Sequence, residues 1–309
     1  MSVLEMTLGQ WTPGVAERLS CVHNDDPTVL KPEHTSGTAG LEVKADGHMS
    51  VAYSLMDAAL PKWDFFDYDW RLDMRWSGQL LADHLTKEAA GGDRWHIVTH
   101  SQGGLILLRA ASILTPTVFQ KLVHSVVFVG VPFFGCVNAL EALLTGVGIG
   151  KIPPRVARTW PAIYQMLPRW NVLDDTKIDA NLLTNTAWIE AGLMPTNIAD
   201  LDLDKHIDPR LLRRAHFWDR DAKIDFFEPL RDIHLVRVVN GNNLETGQQV
   251  PQFPTIPGPL VMGDTLVPTD LTLNKMPKWA AEEANIKRFR AATHMLLCSD
   301  RDVYRWCAQ

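Results

Sequence analysis

Residues 95–129 hold the feature that most restricts the fold, which is two β-prone runs separated by a strongly apolar helical stretch. The first run, residues 95–100, leads directly into Ser101 and a pair of glycines, and a helix is predicted over 105–114. The second run, 123–129 (VHSVVFV), is almost continuously apolar, as is typical of a strand buried on both faces. The short links between these segments predict an α/β fold with a mostly parallel sheet and helices on both of its faces.

The flanking segments extend this pattern and indicate the domain organisation. A helix is predicted over 76–90, and further strands are predicted at 64–70 and 233–239. The central region, about 134–230, is rich in Pro, Trp and Leu and has helical periodicity with few strand signals. We interpret residues 1–309 as a single domain in which this region is a helical cap insertion. An insertion after a strand end is expected to lie over the edge where open α/β sheets bind ligands.

The composition excludes several classes of function. The chain has 309 residues, 46% of them hydrophobic, which is ample for a large core. Its net charge of -6 provides no basic surface for nucleic acid, and its 4 cysteines lack the spacing of a zinc site. No apolar run is long enough to span a bilayer, and the first residues do not form a signal peptide. The sequence therefore predicts a cytoplasmic protein without metal or nucleic-acid partners.

Ser101 lies where a catalytic serine is expected in a sheet of this kind. Residues 99–103 (THSQG) are a variant of the G-x-S-x-G nucleophile elbow, in which the serine occupies a tight turn between a strand and a helix. Gly103 and Gly104 suit that turn because it brings backbone against backbone, whereas Thr99 replaces the first glycine. The alternative interpretation is a serine that only caps the following helix.

A serine nucleophile needs a base and an acid, which follow it in this order as Asp or Glu and then His. Asp264 lies in the turn MGDTLVP after a short apolar run, and His294 is the one histidine that follows it. These residues complete a candidate catalytic set with Ser101. Taken alone, Asp264 is also compatible with an ordinary Asx turn, and His294 with a helix entry.

The charge created by serine attack requires two hydrogen-bond donors, an oxyanion hole. The elbow supplies one of them, the backbone N–H of Gln102, and the second is unassigned. Residues 11–14 (WTPG) contain a Pro-Gly pair but no apolar strand precedes them. Either the N-terminal strand and its oxyanion loop are divergent, or the chain begins inside the domain.

Three other reactive side chains near the serine receive no catalytic role. His96 and His100 lie on the strand that leads to Ser101, and the side chain of His100 is expected to point away from the reacting hydroxyl. Cys136 has no recognisable partner and is interpreted as a small buried thiol.

Four motifs together resemble those of the lecithin:cholesterol acyltransferase-like α/β hydrolases, in particular their bacterial relatives. The motifs are Tyr68-Asp69-Trp70-Arg71 for YDWR, THSQGG for GHSxGG, residues 131–140 for TPFRGSxxAL, and residues 263–268 for GDGTVP, with His294 at the position of the histidine. The likeness covers roughly residues 64–309, with Cys136 where serine is common. It implies an α/β-hydrolase fold and a lipase, esterase or acyltransferase that needs no cofactor.

These observations favour a serine hydrolase that cleaves carboxylic, lipid-like esters through an acyl-enzyme. The cap would then contact the acyl chain and, transiently, a membrane surface. The candidate substrate-binding residues are Trp70, Phe133, Trp160, Tyr164 and Leu167, for which ordinary core packing is the alternative. The competing hypothesis for the whole chain is a catalytically inactive binding or interaction protein that keeps this fold.

Overall fold

The computed structural model describes residues 2–3, 20–21, 44–45, 65–88, 94–147, 152–169, 185–215, 226–242, 244–247, 260–282, 285–290 and 293–308. The strands in these ranges are β1 (Ser2–Val3), β2 (Lys44–Ala45), β3 (Trp95–His100), β4 (Val123–Val129), β5 (Leu235–Asn242), β6 (Leu244–Gly247), β7 (Leu260–Gly263) and β8 (Ile286–Arg290). The α-helices are α1 (Met74–Glu88), α2 (Gln102–Leu122), α3 (Val137–Thr145), α4 (Pro154–Ala157), α5 (Pro161–Gln165), α6 (Asn185–Glu190), α7 (Pro209–Ala215), α8 (Thr269–Lys275) and α9 (Arg301–Ala308). Short 3-10 helices lie at Ile198–Asp200, Glu228–Leu230 and His294–Ser299.

The central sheet has four parallel strands in the order β3-β4-β5-β8. Its register pairs His100 with Val129 and Val129 with Val239, so the carboxyl ends of three strands meet at one edge. Strands β6 and β7 form a separate antiparallel ribbon, and β1 pairs with β2. The edge where parallel strands end is where such sheets hold their ligands.

Helices cover both faces of the sheet, which confirms the predicted α/β fold class. On β4, Val126 and Phe128 belong to the apolar core that includes α1 and α2. The alternate residues Val127 and Val129 belong to another core with Val303 of α9. Successive side chains of a strand point to opposite faces, so the continuous apolar run of 123–129 reflects burial on both sides.

The central region builds an apolar core of its own. Helices α3 to α7 contribute most of its residues, among them the completely buried Trp160 and Trp188. Trp70 and Met166 pack against both this core and the core of α1 and α2. The helical character expected of this region is present in its described ranges, and its role as a cap remains a prediction.

The segment 65–70 differs from expectation, because it forms no strand. The carbonyl of Asp69 accepts from the N–H of Leu72 at 3.2 Å, and its side chain accepts from the N–H of Arg71 at 3.1 Å. These local bonds fold residues 69–72 into a turn at the end of the segment. Aromatic content alone suggested the strand.

Helix α2 extends beyond the end predicted for it at Thr115–Pro116. Thr115 has φ 63 and ψ 152, which is not helical, so the helix is broken at the predicted position and resumes after it. The sequence was expected to contain no apolar run long enough to span a bilayer, but among the described residues α2 is one helix that meets this criterion by length and composition. Its residues Leu105 to Leu108 are buried in the protein core, and core helices of soluble proteins meet the same criterion.

Candidate active site

Ser101 lies in a strained turn between β3 and α2. Its φ of 52 and ψ of -129 place a non-glycine residue at positive φ, a conformation that persists only where the surroundings enforce it. Its N–H donates to the carbonyl of Val129 at 2.9 Å, which holds the turn against the end of β4. Ser101 occupies the N-cap position, yet its side chain makes no capping hydrogen bond. The Ser101 hydroxyl therefore does not serve as a helix cap.

Close packing explains one of the two glycines that follow the serine. A β-carbon on Gly104 would stand 2.4 Å from a methyl carbon of Val131, because the start of α2 lies directly against the segment after β4. A β-carbon on Gly103 would make only ordinary contacts, 3.7 Å from the Tyr68 hydroxyl. The turn also accommodates Thr99, which is buried on β3. The departure from the first motif glycine therefore does not prevent the elbow geometry.

His294 joins the serine to the aspartate through its two ring nitrogens. Its Nε2 lies 2.8 Å from Ser101 Oγ, and its Nδ1 lies 2.8 Å from Asp264 Oδ2. An ionised carboxylate only accepts hydrogen bonds, so Nδ1 carries the hydrogen and the Nε2 lone pair faces the serine hydroxyl. In this arrangement the imidazole can take the hydroxyl proton.

Asp264 uses its two carboxylate oxygens for two different purposes. Oδ1 accepts from the N–H groups of Leu266 at 3.0 Å and Val267 at 2.7 Å, while Oδ2 accepts from His294. The Asx turn considered as an alternative is therefore present and leaves Oδ2 for the histidine. Buried and surrounded by three N–H donors, this carboxylate is held in one orientation.

The backbone of the Asp264 turn is tied to its neighbours. Thr265 has φ 83, and its N–H donates to the hydroxyl of Thr246 on β6 at 3.0 Å. The N–H of His294 donates to the carbonyl of Asp264 at 2.6 Å. Asp264 and His294 are thus joined both by backbone and by side chain, although they are 30 positions apart in the sequence.

Two residues beside His294 received no role from the sequence, since Gly130 was not considered and His100 was expected to point away from the serine hydroxyl. Gly130, at φ +56 after β4, lies so close that a β-carbon there would stand 3.1 Å from both Asp264 Oδ2 and His294 Nδ1. The Nε2 of His100 lies 2.9 Å from the carbonyl oxygen of His294, and the two rings have centroids 4.8 Å apart. A glycine directly after the buried run 123–129 was a usable signal for Gly130. The expected orientation of His100 gave no reason to consider a contact with the base.

Burial keeps the side chains of His100 and Cys136 uncharged. Burial, aided by the nearby His294, lowers the pKa of His100 to about 3. Burial raises the pKa of the Cys136 thiol to about 11, in line with its interpretation as a small buried thiol. In the ranges that the structure describes, no group of three or more His, Cys, Asp or Glu side chains is arranged to hold a metal ion.

Gln102 and the YDWR segment meet next to the serine. The side-chain amide of Gln102 donates to the carbonyl of Trp70 at 3.0 Å, so the residue after the serine also anchors this segment. Arg71, completely buried, pairs with Asp69 through two contacts of 2.9 and 2.6 Å. The Gln102 N–H lies in the first turn of α2, where backbone donors lack intrahelical acceptors. Residues 11–14, which carry the Pro-Gly pair, lie outside the described residues.

The five candidate substrate-binding residues differ in accessibility. Three of them, Trp160, Tyr164 and Leu167, have no exposed surface and lie in the core of the central helices. The Tyr164 hydroxyl donates to the carbonyl of Arg158 and accepts from the N–H of Asp208, both at 2.9 Å. Core packing, the alternative interpretation, describes these three residues in this structure.

The other two candidates are Trp70 and Phe133. Trp70 is half-buried, and its ring meets the edge of Trp160 with centroids 4.9 Å apart. Phe133 follows β4 and is buried against Phe128, with ring centroids 5.2 Å apart. Trp70 therefore has the accessible surface that contact with a substrate requires.

The comparisons with known proteins give a distant structural likeness. No protein-family model matches the chain, and no curated protein matches it. A solved structure described as "The crystal structure of Tle4-Tli4 complex" contains a similar chain with 16% identity and a TM-score of 0.44. The alignment covers 77% of the present chain and 65% of the solved chain, so the present chain spans just under two thirds of that protein's length.

Proposed function

We propose that this protein is a serine hydrolase of the α/β-hydrolase type that cleaves carboxylic esters through an acyl-enzyme. One observation carries the proposal, the continuous hydrogen-bonded path from Ser101 Oγ through both nitrogens of His294 to Asp264 Oδ2. The positive φ of Ser101 and the absence of a capping bond from its hydroxyl add independent support. A serine with a purely structural role needs neither feature.

The proposed reaction begins with attack of Ser101 Oγ on the acyl carbon of the ester. His294 Nε2 takes the hydroxyl proton as the new C–O bond forms, and returns it to the leaving alcohol when the ester C–O bond breaks. Asp264 holds the Nδ1–H tautomer and stabilises the imidazolium. A water then attacks the acyl-enzyme, giving its proton to His294, and the carboxylic acid leaves as Ser101 recovers its hydrogen.

The negative charge on the acyl oxygen needs donors that already point at it. We assign the backbone N–H of Gln102 as the first donor, because it opens α2 directly after the nucleophile. The side chain of Gln102 is fixed by its bond to Trp70, which holds this residue in place. A second donor is required, since the loss of one typically lowers the rate by about 10²–10³-fold.

For the substrate we propose an ester with an apolar acyl group, in line with the resemblance to the lecithin:cholesterol acyltransferase-like hydrolases. Two observations support this choice: the carbonyl of Trp70, within YDWR, accepts from the side chain of Gln102 next to the serine, and Asp264 of the GDTLVP turn bonds to His294. The half-buried Trp70 and Met166 both offer apolar surface between the two cores. A lipase and an esterase both transfer the acyl group to water and differ in the ester they prefer, whereas an acyltransferase transfers it to an alcohol.

Covalent labelling with a fluorophosphonate probe tests the proposal. We expect wild type to be labelled at Ser101, located by peptide mass spectrometry, and Ser101→Ala and His294→Ala to remain unlabelled. Ser112→Ala, at a half-buried position on α2, is the matched serine control and should label normally. Hydrolysis of p-nitrophenyl esters of increasing chain length then defines the acyl preference, and capture by added alcohol identifies a transferase.

Two labelling results would contradict the proposal. A folded wild type that takes no label and cleaves no p-nitrophenyl ester would reject catalysis and favour the inactive binding protein with this fold. Labelling at a residue other than Ser101 would reject the assignment of the nucleophile.

A further inference from the structure

His100 differs sharply from the other histidine on its strand. His96 and His100 are four residues apart on β3 and therefore on the same side of the sheet. His96 is exposed, with Nδ1 2.8 Å from the Ser125 hydroxyl. His100 is buried and reaches the backbone of His294, 194 positions away in sequence.

The chemistry of this contact fixes its direction. A carbonyl oxygen only accepts hydrogen bonds, so Nε2 of His100 carries the hydrogen and donates it to the carbonyl of His294. Burial and the neighbouring His294 lower the pKa of His100 to about 3, so the ring stays neutral at any ordinary working pH. The positive charge that forms during the reaction then resides on His294 alone, beside Asp264.

Besides the contact of its Nε2 with Ser101 Oγ, His294 makes three hydrogen bonds that come from two directions. Its N–H and its Nδ1–H both bond to Asp264, at 2.6 and 2.8 Å, which ties the base to the turn after β7. Its carbonyl bonds to His100, which belongs to β3 and directly precedes the nucleophile. The bond from His100 thus ties the backbone of His294 to the strand that carries Ser101.

The bond from His100 affects the distance between His294 Nε2 and Ser101 Oγ. The two bonds to Asp264 restrain the position of His294 relative to Asp264, and neither of them restrains it relative to Ser101. The bond from His100 restrains the base relative to the serine, because residues 100 and 101 are covalently joined. A displacement of about 1 Å between reacting groups can lower a rate about 10²-fold.

We propose that His100 is a positioning residue, which donates Nε2–H to the carbonyl of His294 and so holds the base at hydrogen-bonding distance from Ser101. This role rests on the serine-hydrolase function proposed above. His100 does not exchange protons with the substrate. It acts through His294 only.

Substitutions of His100 that keep or remove the donor test this role. His100→Gln places an amide N–H near the position of Nε2, whereas His100→Leu has similar bulk and no donor. We expect His100→Leu to lower kcat and the rate of fluorophosphonate labelling about 10- to 100-fold with KM changed by less than about threefold. His100→Gln should restore most of the loss. His96→Leu, on the same strand face, should label like wild type.

The outcomes separate the positioning role from the proposed function. A wild type that never labels would reject the serine hydrolase itself. A wild type that labels, with His100→Leu equally fast, would reject the positioning role and leave the hydrolase intact, as would His100→Gln as slow as His100→Leu. Thermal unfolding shows whether each variant is folded, and His100→Met replaces His100→Leu if the branched side chain is not tolerated. The acid limb of the pH–rate profile should persist in His100→Gln, and its disappearance would identify His100 as the titrating base and overturn the proposal.

Discussion

Gly130 lies against His294, so that a β-carbon on Gly130 would stand 3.1 Å from the Nδ1 that bonds to Asp264. This glycine also has φ +56, a conformation that L-residues with a side chain adopt at a cost of about 1–2 kcal/mol. Both the backbone conformation of Gly130 and the closeness of His294 therefore disfavour any side chain at this position.

We predict that Gly130→Ala lowers both stability and activity. The added methyl group should displace the His294 ring and decrease kcat/KM about 10- to 100-fold. Gly192→Ala is the control, because Gly192 has φ +70 and no atom within 4 Å of the added carbon. Both variants should lose about 1–2 kcal/mol in urea unfolding. Equal activities of the two variants would show that Gly130 does not support the base.

Asp264→Asn should retain the turn and lose the reaction. An Asn carbonyl can still accept from the N–H groups of Leu266 and Val267, but it removes the charge that selects the Nδ1–H tautomer of His294. We expect kcat to fall about 10³–10⁴-fold with little change in Tm. Asp270→Asn, at an exposed position in the first turn of α8, is the charge-matched control. Activity within tenfold of wild type would exclude Asp264 as the acid.

Stability should decrease in mild acid because of His100. Its pKa of about 3 in the native state lies below the value of about 6.5 of an unfolded histidine, so below that pH the unfolded chain binds a proton that the native protein excludes. This stabilisation is fully present above pH 6.5 or so, and falls by up to about 1.4 kcal/mol per pH unit as the pH decreases towards 3. Urea unfolding of wild type and His100→Gln between pH 7.5 and about 5 measures it. Parallel curves for the two proteins would contradict the prediction.

Tyr164→Phe should affect stability and leave catalysis unchanged. The lost hydroxyl leaves the N–H of Asp208 and the carbonyl of Arg158 without the partner they share, which typically costs about 1–3 kcal/mol. Thr86→Ala, which removes an exposed hydroxyl on α1, should cost less than about 0.5 kcal/mol. An increase in KM without a decrease in Tm would return Tyr164 to the group of substrate-binding residues.

The sheet was predictable from sequence because local and non-local requirements agree there. β3 and β4 have the predicted bounds, 95–100 and 123–129, and the apolar run of β4, which is buried on both faces, is hard to place otherwise. The expected strand at 64–70 was wrong, because the Asp69 side chain forms a local turn that aromatic content does not reveal. Helix α1 begins at Met74, two residues before the predicted start, since Asp73 accepts from the N–H of Arg75.

In the candidate site, too, some features were predictable from the sequence and others were not. The elbow pattern selected Ser101 and chain order then selected Asp264 and His294, and the structure brings these three side chains into hydrogen-bond contact; their catalytic roles stay predictions. Gly130 and His100 lie against His294, which is more than 160 positions further along the chain, and no local pattern encodes such a contact. The burial of Trp160 was equally invisible, because an aromatic residue of a helical region has the same sequence signature in a core as in a cleft.

The separation of 193 positions between Ser101 and His294 has a consequence for folding. Long-range contacts form late, since the entropy of closing the intervening chain must be overcome before they stabilise anything. The hydrogen bond between these residues requires β3, β4, β5 and β8 to be assembled in their final order. During refolding, the recovery of covalent labelling at Ser101 would therefore report when the sheet is complete. This recovery should lag behind the return of the helical circular dichroism signal.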